Sequence, residues 1–443
     1  MPRLSAYQLV VISFIVLIAA GTALLSLPFA QAGARHALID DLFQATTTTC
    51  ISGLVTLDPG SRYSPLGQII LLALIQAGGL GYMTMFSAGI VLIGKRLSLR
   101  DRVDLKKTAD LPEIGGLRGF LVHVAVLTVA VQAAGAIILA FFMVPELGWR
   151  RGVYHAVFHA ISAFNNAGLS LWPENAVHWQ RNPPVLLTLA GLVILGGLGY
   201  VVTHELFRRT TGKRPETALN SHVRLVLGTT AFLLVSGTVV FWFFESGNPR
   251  TFGGLAPADR WVNAFFASAQ ARTAGYSSVD LGQATPPTLL SMMALMLIGG
   301  GPGGTAGGIK VTTAVIVLAA VIATIRGARD VNLFGFKRRL GEALVRKAMV
   351  VTLVSLLVVA MSTFLLACFE QDPVLPLAFE VVSAFGTVGV STGITPNLTT
   401  ASKLVLIVTM LIGRVGVLAV LLSLFPERRQ SAVRYVQEPL LVG

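Results

Sequence analysis

Charge is scarce in this chain: Asp, Glu, Lys and Arg together make up only 12% of 443 residues. A soluble domain carries about twice that fraction, so a water-facing surface is excluded for most of the length. Cysteine is nearly absent, with Cys50 and Cys368 far apart in sequence and each in or beside an apolar segment. Two such residues make neither a disulfide framework nor a metal cluster, and Cys50 reads as a small buried side chain. Also missing are paired carboxylates at helical spacing in apolar runs, a Gly-x-Ser-x-Gly elbow and a His-Glu-x-x-His run, which leaves an intramembrane enzyme without its usual machinery. His155, His159 and His178 match no closed zinc set and read as polar caps at a membrane surface.

What fills the chain is apolar: 54% of residues are hydrophobic, and the mean hydropathy is +0.73. Roughly 20 apolar residues cross a bilayer. Eight runs are long enough: Tyr7 to Pro28, Pro65 to Gly94, Gly119 to Val144, Pro184 to Leu206, Val223 to Phe244, Pro286 to Ile325, Lys347 to Phe369 and Ser402 to Phe425. The first is too long for a signal-peptide core and is expected to remain in the mature chain. The net charge is +13, and 23 of the 34 Lys and Arg fall in segments 1–6, 95–118, 207–224, 326–347 and 426–443. These lie on one side if eight spans cross in turn. The positive-inside rule makes that side, with both termini, cytoplasmic. The basic excess thus reads as topology and a contact face for a cytosolic partner, not as a nucleic-acid site.

The pattern within the runs repeats four times. FQATTTTCISG, FHAISAFNNAG, FFASAQARTAG and FEVVSAFGTVG align without a gap from Phe43, Phe158, Phe265 and Phe379 to Gly53, Gly168, Gly275 and Gly389. Those glycines are 115, 107 and 114 residues apart, and a second glycine cluster follows each by 24 to 28 residues. Order, spacing and flanks predict a fourfold internal repeat, bounded at 1–95, 119–207, 222–326 and 346–425, with a tail at 426–443. The tail reads as an ordinary frayed terminus or, being apolar at its end, as part of a subunit contact. The expected fold is an all-α polytopic membrane protein: four tandem span, pore-helix and span units around a single pseudo-fourfold pore.

Thr387-Val388-Gly389-Val390 has the form of an ion-selectivity filter, in which backbone carbonyls replace the water around a dehydrated cation. The filter is expected at Cys50, Ile51, Ser52 and Gly53; Asn165, Asn166, Ala167 and Gly168; Arg272, Thr273, Ala274 and Gly275; and Gly386, Thr387, Val388 and Gly389. Short helices ending there, one from about Asp41 to Thr48, would aim negative dipole ends at the axis. Arg272 puts a cation at the third filter, so a neutralising carboxylate is expected, with Glu380 as partner; Arg272 snorkelling to the outer surface is the alternative.

In the third repeat the second span is broken by Gly299, Gly300, Gly301, Pro302, Gly303, Gly304, Thr305, Ala306, Gly307, Gly308, Ile309 and Lys310. No helix survives that composition, and non-helical backbone at this depth must be buried in protein or line water. The run reads as a mobile plug. It lacks the Gly-Lys-Ser/Thr ending of a phosphate-binding loop, so no nucleotide is expected on this chain. Lys310 and Arg414 are cations in apolar surroundings. Arg414 reads as a barrier beneath the filter or as a charge tying two helices together through carbonyls. In repeat one, Gly78, Gly79, Leu80 and Gly81 read as close helix packing.

Four span, pore-helix, filter and span blocks with one filter glycine each, and a glycine break in the third, resemble the Trk/Ktr/HKT superfamily of cation transporters. In layout they look most like the membrane subunits of bacterial Ktr potassium uptake systems. The resemblance implies K+ conduction with a possible Na+ dependence, a homodimer with one pore per subunit, and a cytosolic RCK-type ring of nucleotide-binding regulatory subunits. It also implies the bacterial cytoplasmic (inner) membrane, a gate at Gly299 to Lys310 and a gate arginine at Arg414. By the same resemblance, glycine at all four positions, Gly53, Gly168, Gly275 and Gly389, implies a preference for K+ over Na+. A Na+ or nonselective channel, or a coupled K+ symporter, on the same scaffold remains the alternative.

Overall fold

A computed structural model describes residues 5–80, 117–210, 219–333 and 338–424. The far half of the run expected from Pro65 to Gly94, Gly81, most of the basic stretch 95–118 and the tail 426–443 lie outside the described residues.

Each quarter opens with a long apolar helix: α1 (Ala6–Leu25), α5 (Leu117–Leu147), α9 (Ser221–Glu245) and α13 (Glu342–Phe369). All four contain a stretch long and apolar enough to cross a membrane. A shorter helix follows in each: α2 (Leu38–Cys50), α6 (Trp149–Phe164), α10 (Pro257–Gln270) and α14 (Val374–Gly386). At 13 to 16 residues these rise only about 20 to 24 Å, too little to span. In the first quarter a single turn, α3 (Pro59–Arg62), and α4 (Pro65–Gly79) come next.

The closing segments differ from expectation. In the second quarter α7 (Pro183–Gly197) and α8 (Tyr200–Thr210) meet at 98°, and in the fourth α15 (Thr400–Val415) and α16 (Val417–Leu424) do the same. The sequence reading put a break only in the third quarter, between α11 (Pro286–Leu297) and α12 (Val311–Ile325). The cause of the extra bends is backbone handedness: Gly199 and Gly416 have φ of +93° and +92°, which a continuing right-handed helix cannot contain. A two-residue hairpin, β1 (Asn332–Leu333) against β2 (Arg338–Arg339), also departs from the all-helical expectation.

The apolar core is a series of seams between quarters. Ile51 and Ile75 pack with Phe158, Ala167 and Leu169; Ala163 and Val193 with Phe266, Ala269 and Tyr276; Phe241, Met292 and Met296 with Phe379, Val382 and Val388. The fourth seam returns to the start, joining Phe14, Phe43 and Leu54 to Leu377, Leu406 and Met410. Gln8 Nε2 donates to the Ser423 carbonyl at 3.2 Å, and Lys403 pairs with Asp40 at 2.8 Å. First and last quarters are therefore neighbours.

Candidate functional site: four glycine-ended turns

The four short helices end in turns of one design. Ile51, Asn166, Thr273 and Thr387 have φ between +50° and +76°, and each is followed two residues later by a positive-φ glycine: Gly53, Gly168, Gly275 and Gly389. Left-handed residues at alternate positions flip successive peptide planes, so carbonyls that would alternate in a strand can face one side. Non-glycine residues pay for αL, and the surrounding hydrogen bonds hold them there. Ser52 N donates to the Thr47 carbonyl, Ala167 N to Ser162 and Val388 N to Ser383, each at 2.8 Å. The third turn departs, with Ala274 N bonded to Gln270 at 3.1 Å.

These turns meet. A Cβ on Gly53 would lie closer than 3.0 Å to the Ala167 carbonyl oxygen, one on Gly168 to that of Ala274, one on Gly275 to that of Val388 and one on Gly389 to that of Ser52. Each glycine thus abuts the carbonyl just before the next quarter's glycine, and the order closes on itself. A cavity of about 570 Å³ opens over the ring, lined by all four glycines and by Asp58, Glu174 and Asp280.

Outside the lining of that cavity, the second glycine clusters let backbones touch. Gly78, Gly196 and Gly413 press on the carbonyls of Thr49, Phe164 and Phe385, four residues before their own ring glycines. In the third quarter Gly299 to Lys310 instead forms a loop held by backbone bonds. Gly299 N reaches the Ile309 carbonyl at 2.8 Å, Gly301 N that of Gly197 at 2.9 Å, and Tyr200 N that of Gly303 at 3.2 Å. The loop lies against two turns: Thr305 Oγ1 donates to Asn166 Oδ1 at 2.9 Å, and a Cβ on Gly307 would strike the Thr387 side chain. Lys310 Nζ donates to the Ala306 carbonyl at 2.5 Å. Arg414 donates to the carbonyls of Thr305 and Gly78, so it ties the loop to α4 through backbone oxygens.

One expected contact is absent. Arg272 and Glu380 do not pair. The guanidinium reaches back to the Thr230 carbonyl and hydroxyl on α9 at 3.5 and 3.4 Å. Glu380, fully buried, accepts from Ser391 Oγ at 2.7 Å, Thr392 N at 2.9 Å, Thr392 Oγ1 at 3.2 Å and Thr395 Oγ1 at 2.6 Å. Its carboxylate is held by four donors from the chain leaving the ring, while the Arg272 guanidinium is turned to α9.

Sequence reasoning passed over several clamps of this kind, and its reading of His159 as a polar cap at a membrane surface is corrected, since the side chain is buried. His159 occupies the position of Glu380, one residue after the aligned Phe, and meets Ser170 Oγ at 3.2 Å, the counterpart of Ser391. That register was the available signal. Asp41, at the start of α2, takes hydrogen bonds from Gln31 Nε2 at 3.0 Å and Tyr63 OH at 3.1 Å. Burial and the Asp41 carboxylate push the Tyr63 phenol pKa upward. Glu245, at the end of α9, is bonded by Thr251 and Thr288 hydroxyls, both at 2.5 Å, and by Thr285 N at 2.8 Å. Among the described residues no group of three or more His, Cys, Asp or Glu could hold a metal.

Comparison with known proteins agrees with this architecture. The TrkH family, described as "Cation transport protein", matches residues 4–431. The Ktr system potassium uptake protein B of Bacillus subtilis is 36% identical over 441 residues, covering 100% of this chain and 97% of that protein. Its namesake from Vibrio alginolyticus is 37% identical over 437 residues, covering 98% and 94%. The potassium/sodium uptake protein NtpJ of Enterococcus hirae is 35% identical over 448 residues, covering 100% and 98%. Among solved structures, the potassium transporter TrkH from Vibrio parahaemolyticus superposes with a TM-score of 0.73 at 17% identity, over 95% of this chain and 84% of that one. With apolar helices of spanning length and a family match over nearly its whole length, this multi-pass membrane protein belongs to the TrkH family of cation transport proteins.

Proposed function

We propose that this chain is the ion-conducting subunit of a potassium uptake system. K+ passes through a four-part filter built from the carbonyls of residues 50–53, 165–168, 272–275 and 386–389, on the axis of four tandem repeats. The observation that carries the reading is the closed ring, in which Gly53, Gly168, Gly275 and Gly389 each abut the carbonyl before the next. Only glycine fits that approach at positive φ. The short helices bring their C-terminal ends to the ring, where the dipole favours a cation, and Asp58, Glu174 and Asp280 line the cavity over it. These carboxylates would concentrate cations at the entrance.

Gly299 to Lys310 is the gate, with Lys310 and Arg414 as its fixed charges. A cation in the conduction path beneath the ring repels K+, so opening requires the loop and the Arg414 side chain to withdraw. Relatives named as Ktr system potassium uptake proteins support K+ as the cargo; a homodimer under the control of a cytosolic RCK-type nucleotide-binding ring is what the family resemblance implies for it. One named a potassium/sodium uptake protein supports a role for Na+. The basic segments support a topology with both termini cytoplasmic, and the bacterial relatives support an inner-membrane location.

The test is growth of a potassium-uptake-deficient bacterium carrying the chain with a matching ring, wild type beside Gly53→Ser, followed by flux in proteoliposomes. K+ flux that Gly53→Ser abolishes or shifts toward Na+ supports the reading. Absent flux in liposomes despite reconstitution refutes it, and a fixed ion stoichiometry points to a coupled carrier instead.

A further inference from the structure

A second cavity, of about 400 Å³, shares no lining residue with the one over the ring and lies between the chain leaving α12 and the first turns of α13. Its polar wall carries Arg329, Arg339 and Arg346, with Asp330 and Glu342 the acidic groups. Asp330 is occupied by Arg339 Nε at 3.0 Å, and Glu342 stands in the first turn of α13, where it complements the helix dipole. Among the described residues, neither Arg329 nor Arg346 has an ion-pair partner. The lining also holds the apolar Val345, Met349 and Val350, the last two one turn beyond Arg346 on the same face of α13.

The level of this cavity follows from α13. No residue from Ala348 to Phe369 is charged, and these 22 residues rise about 33 Å, the thickness of a hydrocarbon core. Arg346 therefore stands at the height of lipid headgroups. Beyond Met349 and Val350 the helix continues with Leu353, Leu356 and Leu357, all exposed. Of the four long helices α13 is the least covered by protein, with 17% of its apolar stretch buried against 28 to 33% in the others.

We propose that this cavity binds an anionic phospholipid, its phosphate held by Arg329, Arg339 and Arg346 and its acyl chains laid along Met349, Val350 and Leu353. Guanidinium groups offer planar donor pairs to phosphate oxygens, and a pocket of this volume suits a small headgroup. A free soluble phosphate would have no use for the apolar lining or for the row of exposed leucines leading from it. The site depends on α13 being a span and is independent of whether K+ passes through the ring.

The experiment is native mass spectrometry of the full chain delipidated from bilayers containing phosphatidylglycerol and phosphatidylcholine. Wild type is expected to retain phosphatidylglycerol in preference. Arg329→Gln with Arg346→Gln should weaken that retention about thirtyfold, while Arg150→Gln with Arg151→Gln, at the start of α6, leaves it unchanged. Arg329→Lys with Arg346→Lys, which keeps both charges and guards against misfolding, should hold most of it. Equal retention in the Gln pair, equal loss in the Lys pair, no preference over phosphatidylcholine, or displacement by millimolar inorganic phosphate would each overturn the proposal. Because the readout is bound lipid, a failure of K+ flux leaves this result unaffected.

Discussion

Thr305 and Asn166 are 139 residues apart in sequence and share a buried 2.9 Å hydrogen bond. Asn166 Nδ2 in turn reaches Thr273 Oγ1 at 3.3 Å, so the glycine loop is joined to two of the four turns through one side-chain amide. On the proposed function, that amide makes the state of the loop felt at the filter. Thr305→Val removes the donor at nearly constant volume. A buried bond of this kind contributes about 1 kcal/mol net, so basal K+ flux without the regulatory ring should rise about fivefold. Asn166→Ala combined with it in a double-mutant cycle should prove non-additive; strict additivity would show that the bond transmits nothing.

The tightness of the ring separates two kinds of glycine. Gly389→Ala meets both a positive φ of +94° and the Ser52 carbonyl, and the αL penalty alone is about 1 to 2 kcal/mol. Uptake should be lost. Gly191→Ala, in α7 with nothing within 4 Å of the added methyl, should leave uptake intact and raise thermal stability slightly. Growth at limiting K+ and a melting curve in detergent distinguish the two.

Glu380 anchors the chain leaving the fourth turn. Glu380→Gln turns an acceptor of four hydrogen bonds into a group that must also donate, where Ser391, Thr392 and Thr395 already do. A destabilisation of about 2 kcal/mol or more is expected, read as a lower melting temperature. Reversing the charges at Arg272 and Glu380 together should fail to rescue either single reversal, because the two side chains engage different partners.

Arg414 holds the loop by carbonyls of Thr305 and Gly78. Arg414→Ala should open a leak, with K+ flux in liposomes several-fold above wild type in the absence of the ring. Arg414→Lys should fall between, since one ammonium replaces a guanidinium fork. Unchanged flux in the alanine variant would place the barrier elsewhere.

The four glycine-ended turns were legible in the sequence because backbone geometry, not side-chain chemistry, builds them. A positive φ at close approach demands glycine, and Gly53, Gly168, Gly275 and Gly389 stand in register for that reason. The loop at Gly299 to Lys310 was legible on the same ground. The bends at Gly199 and Gly416 were not, because a single glycine inside an apolar run is compatible with a continuous helix until its handedness is known. The partners of Arg272 and Glu380 were hidden for a different reason: each is decided by which hydroxyls lie within reach after folding, and Thr230, Ser391 and Thr395 carry no mark that says so.

The fourth apolar seam, where Phe14 and Phe43 meet Leu377 and Met410, sets an order of manufacture. Three of the four seams join stretches that follow one another along the chain; this one joins stretches made at opposite ends of synthesis. Until the last quarter enters the bilayer, Gly53 has no Gly389 beside it and the first turn stands open on one flank. The early quarters must therefore wait in the membrane as an open arc, and the site comes into being only when the final helices are inserted.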